Sequence, residues 1–132
     1  MDWKIIAIIT PLTFVTFQSL SKLLPKTVSV FLVTAYSSLI GFFLMLALHF
    51  LFSPDKSLSM NNKSLLIAIG CGALISIGNF GIIKALSLGA PQSIFSLIFY
   101  VTTIVYGVLF GLFFWRETLN FPQIIGAILS LA

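Results

Sequence analysis

The sequence predicts an all-α, polytopic membrane protein, and three observations carry that prediction. Mean hydropathy is +1.16. Of 132 residues, 59% are hydrophobic and 8% charged, whereas a soluble domain carries about a quarter charged residues. The apolar sequence also comes in unbroken runs of spanning length, not in the in-out alternation of an outer-membrane strand. The expected architecture is four full transmembrane helices, over approximately residues 5–24, 28–52, 64–88 and 91–115, then a short or truncated fifth over 121–132. All of it is read as a single transmembrane domain, 1–132.

The first span begins behind Trp3 and Lys4, an aromatic and a basic anchor at the headgroup level. Pro11 is expected to kink it. Thr10, Thr13, Phe17 and Ser21 share one face, with Gln18 beside them and Lys22 near the end. Pro25 breaks the helix, and Thr27 is a plausible N-cap for the second span. There Thr34, Ser38, Gly41, Met45 and His49 form the small or polar face. His49, close to the end, is better placed as an interfacial anchor than as a proton relay. The stretch from Ser53 to Lys63 is the only substantial hydrophilic loop, and it is too short to be a domain.

Small residues crowd the third span. Ala73, Gly81 and Ala85 are related by eight and four, which lets a second helix approach closely. Asn79 and Lys84 are its conspicuous polar residues. Gly89 is a natural helix stop and Pro91 suits the first turn of the fourth span, so the third and fourth spans form an antiparallel hairpin. From Ala85 to Trp115 there is no charged side chain. Ser93, Ser96, Tyr100, Thr103, Gly107 and Gly111 share one face at spacings of three and four. Ile94, Ile98, Val101, Val105, Val108 and Leu112 occupy the other. A spanning helix with such a stripe packs it against other helices or lines a cavity with it. Asn120 followed by Gln123, with Pro122 between, resembles a capping box for a helix from Phe121. Twelve residues of helix rise only ~18 Å against a ~30 Å hydrocarbon core, so the expectation is a sequence cut short within its fifth span.

Composition excludes several functions. Net charge is +4, but the basic residues sit at segment ends and anchor helices at headgroups, with no basic and aromatic interleaving for nucleic acid. One histidine and one cysteine, far apart, make no metal site. Cys71 reads as a small packing residue. No nucleophile and base set, carboxylate pair or phosphate loop is present, so neither an enzyme nor a cofactor is expected. Lys4, Lys56, Lys63 and Arg116 fall on one side of the membrane, and Lys22 and Lys26 on the other, joined by Lys84 if it snorkels that way. This small bias favours a cytoplasmic N-terminus while permitting both orientations.

An ordered set of residues then resembles a known family. It comprises Gly78-Asn79-Phe80-Gly81-Ile82-Ile83-Lys84-Ala85-Leu86, Gly89-Ala90-Pro91, the striped span, Glu117, and Gln123-Ile124-Ile125-Gly126. This resembles the EamA domain of the drug/metabolite transporter superfamily, most specifically from Asn79 onward. The resemblance implies an EamA-like bundle in the cytoplasmic (inner) membrane. It also implies a small-molecule substrate, a metabolite or drug-like compound, and alternating access between two units paired as inverted repeats. This chain holds one unit, so a homodimer or a heterodimer with a similar small membrane protein is implied, in contact with membrane lipids. The layout is also similar to small multidrug resistance proteins, which place a glutamate in the first span. Here that span offers Thr13, Phe14, Thr16 and Gln18, with no carboxylate, which speaks against their proton-coupled mechanism.

The substrate-path candidates are Lys84, Asn79, Ser96, Tyr100 and Thr103. The helix-packing candidates are Gly81, Ala85, Gly107 and Gly111. Lys84 either faces a cavity and attracts an anion or snorkels to the interface, with the balance toward snorkelling. Glu117 fits an interfacial role beside Arg116 better than a coupling role. Two other functional classes remain open at this stage: a non-transporting membrane subunit of a partner protein, and a subunit of a lipid-carrier flippase.

Overall fold

A computed structural model describes residues 3–118, 120, 122, 123, 125 and 126. Four helices account for most of them: α1 (Trp3–Lys22), α2 (Val30–Phe52), α3 (Asn62–Ser87) and α4 (Gln92–Phe113). Each is long and apolar enough to cross a membrane. In hydrocarbon every backbone N–H and C=O needs an internal partner, which is why each apolar run resolves as one continuous helix. The hydroxyls inside the spans follow the same rule. Thr10, Thr16 and Ser21 of α1 donate to the carbonyls of Ile6, Leu12 and Phe17 at 2.8 Å, and Thr34 of α2 donates to Val30 at 2.9 Å.

The helix boundaries shift from the expected ones for local reasons. α1 closes at Lys22 because Leu23 and Leu24 donate three residues back, to Leu20 and Ser21, tightening the last turn before Pro25. It runs through Pro11 as one helix. α2 starts two residues later than expected. Val28 N–H is taken by Pro25 O in a turn, so Ser29, not Thr27, is the N-cap, and its side chain makes no capping bond. α3 starts earlier, because Asn61 Oδ1 accepts from Ser64 N at 2.7 Å. Gly89 has φ 93 and ends the segment after α3 as expected. α4 stops at Phe113, and Arg116 takes a left-handed φ of 52 that lets Glu117 N–H reach Gly111 O at 3.0 Å. Near the end, Asn120 N–H donates to Gln123 Oε1 at 2.8 Å, one half of the expected capping box. The helix expected over 121–132 lies largely outside the described residues, and a fifth span is not shown.

The chain divides after Gly89 into two compact units. In the first, α3 is central and packs against both α1 and α2. Its buried residues gather at one end: Gln18 and Ser21 late in α1, Thr34 early in α2, and Ile82, Ile83 and Leu86 late in α3. At the opposite end the loop after α2 is held by its own polar groups. Ser53 Oγ donates to Asp55 O at 2.7 Å, Ser57 N–H donates to Asp55 Oδ1 at 2.9 Å, and the Lys56 ammonium donates to Phe50 O at 2.6 Å. That last contact places a cation on the carbonyl end of α2. The second unit contains α4 and the segment after it. Large apolar side chains on all four helices remain exposed, including Leu39, Ile40, Phe43, Leu66, Ile69 and Leu97, as expected of surfaces that meet lipid or other helices.

Candidate functional site

Asn79 and Lys84 lie on the same helix but open on different hollows. Five positions along an α-helix is about 140° of rotation, which separates them onto different sides of α3. Asn79, half-buried, lines a crevice of about 200 Å³ with Thr13, Phe14 and Phe17 of α1 and Ile75 of α3. This crevice brings the small and polar face of α1 against Asn79. Lys84 is exposed in the last turn of α3. It lines a cavity of about 610 Å³ where the α1–α2 connection and the start of α2 meet the end of α3. Lys26, Thr27, Ser29 and Ser87 share that lining. The expectation for Lys84 posed cavity against interface. In the fold it lines a cavity that is itself at the helix ends.

Beneath that cavity, Phe31 of α2 stacks on Phe80 of α3 with ring centroids 4.7 Å apart. The same two rings begin a second hollow of about 420 Å³ that continues between α2 and α3 past Thr34, Ala35, Ser38, Ser76 and Ile77. It is almost wholly apolar and follows both helices inward from their ends.

In the second unit the expected stripe on α4 is unevenly covered. Ser96 and Tyr100 are half-buried and Gly111 is buried, whereas Ser93, Thr103 and Gly107 are exposed. The Tyr100 hydroxyl is buried without a hydrogen-bond partner among the described residues, while its ring meets Phe99 edge-on at 5.3 Å. Thr103 lines a shallow hollow of about 340 Å³ with Phe95, Ile98, Phe99, Thr102 and Tyr106, and its hydroxyl donates to Phe99 O at 2.7 Å. Tyr100 is not part of that hollow.

The packing candidates also differ from one another. A Cβ added at Gly81 or Gly107 meets nothing within 4 Å, so neither is a point of close approach among the described residues. Gly111 is one, but its neighbour is the Glu117 carboxylate, with Oε2 2.9 Å from the position a Cβ would take. Ala85 is half-buried beside Leu86. Cys71 is exposed, not packed within the chain. His49 lines a hollow of about 340 Å³ with Met45, Ser57 and Met60, and its Nε2 has no partner among the described residues.

These hollows offer hydroxyls, an amide, a phenol and two ammonium groups set among aromatic rings. Such groups bind and orient a solute. A set of mostly apolar crevices carrying a few polar groups, on a four-span protein, agrees with the one comparison that matches: the model of the EamA-like transporter family aligns with residues 2–132. The chain belongs to the EamA-like transporter family. No curated protein and no solved structure matches it significantly. As an EamA-like protein with four spanning helices, it is a multi-pass membrane protein of a transporter family.

Sequence reasoning singled out Asn79 and Lys84 but not their partners. The available signal is that Lys26 falls on the side of the membrane toward which Lys84 would snorkel. The Phe31–Phe80 stack had none, since only packing brings those rings together.

Proposed function

We propose that this EamA-like protein transports a small metabolite or drug-like compound across the cytoplasmic membrane by alternating access. Two units pair in inverted orientation, either two copies of this chain or one copy with a similar small protein. The observation that supports the reading is the family match across residues 2–132, joined to a fold that keeps Asn79 and Tyr100 half-buried within spanning helices. A polar side chain at membrane depth is costly unless it meets a partner, water or a solute. Asn79, Tyr100, Ser96 and Thr103 are the proposed path residues, with Lys84 at its mouth. The short Gly89-containing connection and the small residues of α3 supply places where paired units can approach.

The test is a topology map of the full-length protein with reporters fused after Asp55 and after Arg116, together with metabolite and drug efflux from cells that express it. Signal from both insertion orientations, with efflux lost on Asn79→Ala while membrane insertion is preserved, is the expected result. A single fixed orientation without self-association, and with an unrelated membrane protein co-purifying, would replace the transporter reading with that of a non-transporting subunit.

A further inference from the structure

We propose that the end of the first unit is a binding site for an anionic membrane amphiphile, with a phosphate-class headgroup between Lys26 and Lys84 and its hydrocarbon chain along the α2–α3 groove. The inference concerns binding and does not require that the ligand be carried across the membrane.

Charge is the first argument. Lys26 and Lys84 line one cavity of about 610 Å³. Asp55, by contrast, lies in the loop at the opposite end of α2 and α3. No carboxylate among the described residues lines this cavity, and neither lysine has an ion-pair partner among them. Two like charges sharing a cavity without a counterion make a site complementary to an anion. The second argument is hydrogen bonding. Val30 and Phe31 open α2 at the same cavity. The Ser29 side chain makes no capping bond to that first turn, so its backbone N–H groups and their partial positive charge remain available. The Thr27 and Ser29 hydroxyls stand alongside.

The third argument selects an amphiphile over a free anion. The polar cavity and the apolar groove of about 420 Å³ share Phe31 and Phe80. The groove continues inward from Phe31 to Ser38 on α2, a rise of ~10 Å. Helix ends place the cavity at the headgroup level, and the groove therefore lies within the hydrocarbon. A cationic pocket stacked on an apolar channel matches an anionic head with an attached chain and offers an unattached anion only half of its contacts.

Native mass spectrometry of the full-length protein in non-ionic detergent tests this, with phosphatidylglycerol and phosphatidylcholine as the lipid probes and inorganic phosphate as competitor. We expect one phosphatidylglycerol retained per chain in preference to phosphatidylcholine. Lys26→Gln with Lys84→Gln should weaken that retention about tenfold or more, whereas Lys56→Gln with Lys63→Gln, at the opposite end of the unit, should leave it unchanged. Ala35→Trp, which fills the groove and keeps both lysines, should also weaken it. Equal retention of the two lipids, or retention indifferent to Lys26 and Lys84, overturns the site. Phosphate binding that depends on the two lysines without lipid retention, or lipid retention unaffected by Ala35→Trp, overturns the assignment to an amphiphile. Efflux measurements do not enter, so failure here is distinguishable from failure of the transport reading.

Discussion

The two ends of the α1–α3 unit are held in different ways. At the end where α1 and α3 finish, three helices meet. Gln18, Ser21, Thr34, Ile82, Ile83 and Leu86 are buried there, and Ile83 is only 2% exposed. At the other end, Leu65, Leu66 and Ile67 of α3 are exposed. Order there comes from local groups: Asn61 capping α3 and Lys56 capping α2. One end depends on residues far apart in the chain, and the other on residues within six positions of one another. Among the described residues, the first end holds a cavity shared by two cations without ion-pair partners, because the α1–α2 connection and the end of α3 converge there.

Ile83→Ala should have the largest effect. It should destabilise the protein by about 2 kcal/mol, near the low end for a buried aliphatic, because lipid supplies the apolar transfer and leaves mainly the packing loss. Ile67→Ala at the other end should stay within about 0.5 kcal/mol. Thermal unfolding in detergent measures both, and equal effects would break the comparison. Asn61→Ala should come next, at about 1 kcal/mol. Its signature should be local: faster amide exchange in the first turn of α3, with the Ile82–Leu86 amides still protected. Protection lost at both places would mean that the two ends are coupled and not independent. The smallest effect should be that of Lys56→Ala, within about 0.5 kcal/mol and weaker still in high salt, because its partner is an exposed carbonyl. A salt-independent loss larger than that of Asn61→Ala would contradict the view of that loop as locally capped.

Much of the candidate site was legible residue by residue, and little of it pair by pair. Asn79 and Lys84 stand out because polar side chains in apolar helices are rare and costly. Their separation onto two crevices follows from helix rotation, yet which crevice each meets depends on where α1 and α2 pack. The stripe on α4 was visible as a period, but the period did not distinguish the buried Gly111 from the exposed Gly107. That difference comes from the turn at Arg116, whose left-handed backbone brings Glu117 back over Gly111. Thr27 suits the cap of α2 by its side chain. The Val28 to Pro25 hydrogen bond moved the helix start past it.

By itself, the sequence determined the helical membrane class, the four spans, the stop at Gly89 and the family to which the chain is similar. The class, the spans and the stop follow from local physics, since hydrocarbon forces each apolar run to satisfy its own backbone and glycine, proline and capping side chains act within a few residues, whereas the family rests on the resemblance of an ordered set of motifs. Tertiary structure alone decided that Lys26 joins Lys84, that Phe31 stacks on Phe80, and that burial collects at one end of the unit. Those pairings join residues from different segments of the chain, and no periodicity within a single helix specifies which face of its neighbour it will meet.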